Sequence, residues 1–334
     1  MKLNCRIQVK IKDENDDEDD QRTSRLACYL AFSYRRAMRP LRALGIYIAV
    51  VFLGGALLAP WLYSLAQACA GTFPKLAHQP FHRFVNRALL ILALAGLWPL
   101  LRALGATSLR EIGLARPAAH WRTMLRGFLL GFASLALVAA ITLAAGGRAF
   151  NRDNEPLRLT EKIAGAALSA VVVALVEETL FRGGIFGGLR RVFHWSAALV
   201  ASSMIYAAVH FLESVNYEGV VTWRSGLELL PRMMGGFANR EQIVPGFFNL
   251  TLAGVLLALA YQRTGNLYFS IGLHAGWIFW LKSYRALTAD VPGTNVWFWG
   301  TGKMIDGWLA LAALAVTLFV FTRLRLKRET DSVT

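Results

Sequence analysis

The sequence predicts an all-α, polytopic transmembrane bundle of about eight spans. Three observations carry this. The chain is 55% hydrophobic and only 17% charged, where soluble domains carry about 25% charged residues. Its mean hydropathy is +0.42. The apolar residues gather in runs near the ~20 residues that a helix needs to cross a bilayer.

The first 37 residues stand apart. An acidic run, Asp13 to Asp20, is followed by a basic stretch with Arg35 and Arg36, a composition that predicts a disordered charged tail. A single membrane domain over 38–328 follows, and 329–334 form a short C-terminal tail. Within the domain the apolar runs predict spans near 44–67, 88–105, 124–146, 161–189, 195–213, 243–263, 266–284 and 305–323. The first run exceeds a signal-peptide core of ~7–15 residues and reads as a retained span. The second carries Trp98-Pro99, a predicted kink. The fourth is too long to lie wholly in the bilayer, and its end at Arg190-Arg191 projects into water. The loop 214–242, with Trp223, Leu229, Leu230 and Met233, predicts an interfacial amphipathic helix.

The net charge of +15 does not point to nucleic acid, because the basic residues sit in short loops and tails between apolar runs. They read as topology signals and anionic-lipid contacts. Arg39 and Arg42 precede the first span and Arg323, Arg325, Lys327 and Arg328 follow the last. An even span count with two basic tails places both termini in the cytoplasm. Cys5, Cys28 and Cys69 form no close pair, which speaks against a disulfide framework or a zinc cluster.

A charge at the bilayer centre costs on the order of 3 kcal/mol or more, so ionisable groups inside spans are functional candidates. Four features qualify. The fourth span contains Glu177-Glu178-Thr-Leu-Phe-Arg182. Glu178 and Arg182 share a helix face and can form an ion pair. Glu177 is turned about 100° away, is left unneutralised, and suits a general base. The fifth span contains Tyr206 and His210, and a later one contains His274. The glycines Gly183, Gly184, Gly187 and Gly188 predict close helix approach. Glu177 and His210 are equally far from the turn at Phe193-His194, about 24 Å along each helix. An antiparallel hairpin therefore sets them at one depth, with Arg182 beside Tyr206.

A carboxylate and two imidazoles can hold zinc, which stands as the alternative cofactor. However, His-Glu-x-x-His is absent and the spacing of His210 and His274 matches no compact zinc motif. Gly-x-Ser-x-Gly is absent too, and the spans hold no aspartate pair. A metal-free mechanism without cofactor remains: a glutamate activates water, one His positions it, and a further polar group meets the oxyanion.

The order Glu177-Glu178-x-x-x-Arg182, aromatic-x-x-x-His at Tyr206/His210, and His274 at a later span resembles the CPBP family of CAAX proteases and bacteriocin-processing (Abi) proteins. Its eukaryotic member is the Ras-converting CAAX endopeptidase. The motif core covers 161–284. The resemblance implies an intramembrane glutamic endopeptidase of membrane-protein or lipidated-peptide substrates, in a bacterial inner membrane. It implies that Glu177 activates water, His210 holds it, Glu178 and Arg182 shape the site with Tyr206, and His274 serves the oxyanion. Two positions depart from the family pattern. Tyr206 stands where Phe is usual, and Ile278, four residues after His274, stands where Asn is usual. The second departure keeps a non-catalytic immunity or scaffold protein open. A proton-coupled carrier using Glu177 and His210 ranks last, since the two halves show no repeat.

Overall fold

The computed structural model describes residues 38–114, 117–238 and 240–326. The expectations for the tails at 1–37 and 329–334 lie outside the described residues. Eight long helices correspond to the eight apolar runs: α1 Met38–Ala68, α2 Phe81–Ala103, α3 Pro117–Ala144, α4 Pro156–Leu189, α5 Trp195–Val209, then, beyond a short α6 at Ser225–Met233, α7 Arg240–Thr264, α8 Tyr268–Leu287 and α9 Trp308–Arg323. The only sheet among the described residues is an antiparallel pair, β1 Arg148–Phe150 with β2 Thr288–Asp290. It is clamped where Arg148 donates to Asp290 and to Thr288 Oγ1, the latter at 2.8 Å.

The chain is an integral membrane protein, and its helices divide by length. Five are long and apolar enough to cross a membrane: α1, α2, α4, Ala118–Ala144 of α3 and Ile243–Thr264 of α7. The predicted fifth span, 195–213, is shorter than expected: α5 stops at Val209 and has 15 residues. At 1.5 Å per residue it reaches about 23 Å, less than a hydrocarbon core of about 30 Å. Helix α9 has 16 residues and is likewise short. Helix α8 is different again. Every residue from Tyr268 to Ile278 is buried, because α8 packs against both α3 and α4. Protein surrounds it, and that is what lets a histidine sit in it.

Local signals explain the boundaries. Pro156 opens α4 at its first position, where a missing N–H costs nothing. Gly265, at φ +74°, ends α7 in the left-handed conformation that glycine adopts freely. Helix α2 begins earlier than the predicted 88, because Phe81, Phe84 and Val85 already face the protein interior. The predicted interfacial helix exists as α6, but its apolar face is not spent on lipid. Leu229 and Met233 pack with Ala59, Phe84 and Val85, and α6 presses so closely on α1 that a Cβ on Gly226 would lie 1.9 Å from Ala56 O.

The close helix contacts lie away from the predicted glycines. A Cβ on Gly183, Gly184 or Gly187 would meet nothing nearer than 3.4 Å, and on Gly188 only the tip of Leu104 at 2.9 Å. Helices α3 and α8 instead touch backbone to backbone. A Cβ on Gly272 would lie 1.9 Å from Met124 O, one on Gly131 2.1 Å from Leu273 O, and one on Gly127 2.2 Å from Phe269 O. Gly127/Gly131 and Gly272/Gly276 are paired small-xxx-small motifs, which let helix axes approach. Gly272→Val is expected to force the two helices apart. Overpacking of this kind costs about 1–3 kcal/mol, and a lower thermal unfolding midpoint in detergent is the measurement; an unchanged midpoint would show that the contact tolerates a side chain.

Candidate active site

Four helices, α4, α5, α7 and α8, build one cluster of buried and half-buried ionisable groups. Glu178 and Arg182 form its floor. The Glu178 side chain is fully buried and Arg182 is 2% exposed, and their Oε1–Nη1 distance is 3.0 Å. This is the predicted pair. It forms although the helix changes character beneath it: Thr179–Phe186 is a π-helix, a rare form that often marks functional segments. Arg182 also lies over the Tyr206 ring, 4.5 Å from its centroid, and Nη2 reaches Gly254 O on α7 at 3.4 Å. A glycine at 254 lets α7 close on α5, since a Cβ there would sit 2.9 Å from Ser203 Cα. A buried charge is tolerated only when it is paired and hydrogen-bonded; these contacts meet that need in part, since Glu178 Oε2 and Arg182 Nη1 make no hydrogen bond.

His274, a predicted site residue, makes a link to Glu178 that the sequence did not reveal. Its Nδ1 lies 2.9 Å from Glu178 Oε1, and its Nε2 lies 3.3 Å from Tyr206 Oη and 3.8 Å from Glu177 Oε2. Glu178 therefore serves two partners, an arginine one turn along its own helix and an imidazole on α8. The carboxylate accepts, so His274 Nδ1 carries the proton. This assignment follows from the hydrogen-bond network.

Glu177 faces the other way, as its rotation from Glu178 requires. Its side chain is 26% exposed and Oε2 lies 3.7 Å from His210 Nε2. Helix α5 ends just before His210, and the His210 ring turns back so that Nδ1 meets Tyr206 O at 2.7 Å. One ring nitrogen thus satisfies a carbonyl of the last helical turn, which leaves Nε2 aimed at Glu177. Glu177 Oε2 is buried and has no hydrogen-bond partner. It stands between two imidazole nitrogens, at separations too long for direct hydrogen bonds and suited to a shared water.

All six predicted side chains, Glu177, Glu178, Arg182, Tyr206, His210 and His274, are thus brought together. Ile278 is buried in the main apolar cluster. Neither nearby asparagine replaces it. Asn249 donates to Ile305 O and Gly307 O at 2.8 and 2.9 Å, and Asn266 caps the start of α8 by accepting from Tyr268 N at 3.1 Å. Among the described residues no group of three or more His, Cys, Asp or Glu is arranged to hold a metal ion. His274 is committed on both nitrogens, and His210 keeps one nitrogen for a ligand.

From His210 a cavity of about 470 Å³ runs outward, lined by Glu213, Leu250, Leu281, Lys282 and Asp306 among others. Its floor includes the stretch Phe211–Ser214, which leaves α5 without regular secondary structure.

No curated protein and no solved structure shows a significant match to the chain. A family model does match, over residues 160–280, and its description is type II CAAX prenyl endopeptidase, Rce1-like. The match covers less than half of the chain, yet it contains every residue of the polar cluster. Over that segment, which holds the whole polar cluster, the chain is similar to the type II CAAX prenyl endopeptidases of Rce1-like type.

Proposed function

We propose that the protein is an intramembrane endopeptidase in which Glu177 activates water without a metal ion. The observation that carries this is the position of Glu177 Oε2, unbonded and facing the Nε2 atoms of His210 and His274 at 3.7 and 3.8 Å. Glu177 takes a proton from a water that His210 Nε2 holds. The water oxygen attacks the scissile carbonyl carbon, and charge develops on the carbonyl oxygen at the His274 side of the cluster. The C–N bond then breaks, the proton passes from Glu177 to the departing amine, and a carboxylate and an amine leave. General-base help of this kind contributes about 10²–10⁴ in rate. Glu178 and Arg182 hold His274 and Tyr206 in place. The family description motivates a lipidated substrate with cleavage near its C-terminus, reached through the cavity beside His210.

The test is direct. Wild type and Glu177→Ala, each in proteoliposomes, are offered a set of prenylated CAAX peptides and membrane proteins, with cleavage followed by mass spectrometry. Cleavage that needs Glu177 supports the proposal; no Glu177-dependent product across the set sinks it. That second outcome would favour a non-catalytic relative, a reading that the apolar surroundings of Ile278 support. In the same assay EDTA or phenanthroline is expected to leave turnover unchanged within about twofold, because Glu177 and His210 supply too few ligands for a zinc site. Inactivation reversed by added zinc would overturn the metal-free step.

A further inference from the structure

We infer that the Tyr206 hydroxyl is the group that donates to the oxyanion, with His274 acting as the acceptor that aims it. The inference rests on the endopeptidase reading above and assigns a donor that this reading leaves open. It begins with which atoms in the cluster have a proton to give. Glu178, held by Arg182 at 3.0 Å, is an acceptor, so the 2.9 Å contact makes His274 Nδ1 the donor. A neutral imidazole has one N–H. His274 Nε2 is then a lone pair, and the 3.3 Å contact with Tyr206 runs from the hydroxyl to the ring. In this state His274 has nothing to offer a developing negative charge. The phenol does.

The remaining candidates are occupied. His210 Nδ1 is engaged by Tyr206 O at 2.7 Å, and its Nε2 faces Glu177. Arg182 Nη1 is buried and makes no hydrogen bond, but the ion pair holds it 3.0 Å from Glu178 Oε1, while Nη2 reaches Gly254 O and the guanidinium lies on the Tyr206 ring. Ile278 offers no polar atom. Tyr206 is also buried and held on several sides. Its ring meets Phe181 edge-on at 5.0 Å, carries Arg182 on its face and contacts the His210 ring at 4.4 Å. A fixed donor is what oxyanion stabilisation needs, because no reorganisation is then required as charge develops. As the substrate carbonyl becomes an oxyanion, the hydroxyl proton turns from His274 Nε2 to that oxygen; no bond other than the hydrogen bond changes.

The experiment compares wild type with Tyr206→Phe on one quenched-fluorescence farnesylated CAAX peptide in proteoliposomes, and measures inhibition by the same peptide with a phosphinate at the scissile position. The expected result is a fall in kcat of about 10²–10³ with KM changed less than threefold. Affinity for the phosphinate, whose oxygen mimics the oxyanion, falls by a similar factor. A kcat within threefold of wild type overturns the inference while leaving Glu177 chemistry intact. A parallel loss of affinity for substrate and phosphinate also overturns it, by showing that Tyr206 only shapes the site. The peptide is one that the wild type cleaves in the substrate set above; a wild type that cleaves no member of that set overturns the endopeptidase reading, and this inference falls with it.

Discussion

Glu177→Ala and Glu177→Gln are expected to reduce kcat by about 10²–10⁴, the full contribution of a general base, while leaving the unfolding midpoint within a degree or two of wild type. The two halves of this expectation come from the same observation. Glu177 Oε2 makes no hydrogen bond, and the side chain is the more open of the pair, so little of the fold depends on it. Everything it does is done to a third party. Steady-state kinetics with thermal unfolding on the same preparations provide the check. A variant that retains more than a tenth of wild-type kcat would remove Glu177 from the mechanism. A collapse in stability would recast it as part of the scaffold.

Glu178→Ala is expected to show the converse. It leaves Arg182, 2% exposed, charged and without its counter-ion. Breaking a buried pair by removing one partner costs about 3–5 kcal/mol, enough to prevent accumulation of folded protein at 37 °C. Replacing both charges, as in Glu178→Leu with Arg182→Met, is expected to recover most of that loss, since apolar substitutes for a buried pair are often neutral or better. Activity is not expected to return, because His274 Nδ1 loses its acceptor at 2.9 Å. Unfolding in detergent and peptide turnover together test this. A double variant as unstable as Glu178→Ala would show that the pair does more than cancel its own charge.

Much of this was legible in the sequence. The eight helices follow from apolar runs, and the Glu178–Arg182 pair from four-residue spacing. The meeting of Glu177 with His210 follows from counting outward from a hairpin turn, since two antiparallel helices of equal rise must match in depth. What could not be read depends on side chains from distant segments. His274 is 96 residues from Glu178, and no local rule says that the α8 imidazole faces α4. The end of α5 was placed four residues late, because Phe211 and Leu212 continue the apolar pattern while the chain has already turned into the cavity wall. The α3–α8 contact was missed despite a visible signal. Gly127/Gly131 and Gly272/Gly276 have the four-residue spacing of close packing, but the denser glycines at 183–188 drew the prediction. Gly183 and Gly184 fall in the π-helical stretch and Gly187 and Gly188 in the α-helical turn after it, and none of the four sits at a backbone-to-backbone crossing.

That stretch has a consequence for how the chain tolerates changes of length. A π-turn holds more residues than an α-turn, so the helix from Thr179 to Phe186 carries slack that an α-helix lacks. Deleting one residue such as Gly184 would let the segment rewind as an α-helix without breaking it. The helix would survive and the protein would remain membrane-inserted. Because the residue removed is taken from that slack, the α-helical turns on either side would keep nearly the rotational phase they have now, with Glu177 still toward His210 and Leu189 still seated at the turn into α5. The same deletion made before Glu177, where the helix is α throughout, has no slack to draw on and would turn one side by about 100° relative to the other. The π-helical segment is thus where this helix can lose a residue without redirecting its two glutamates.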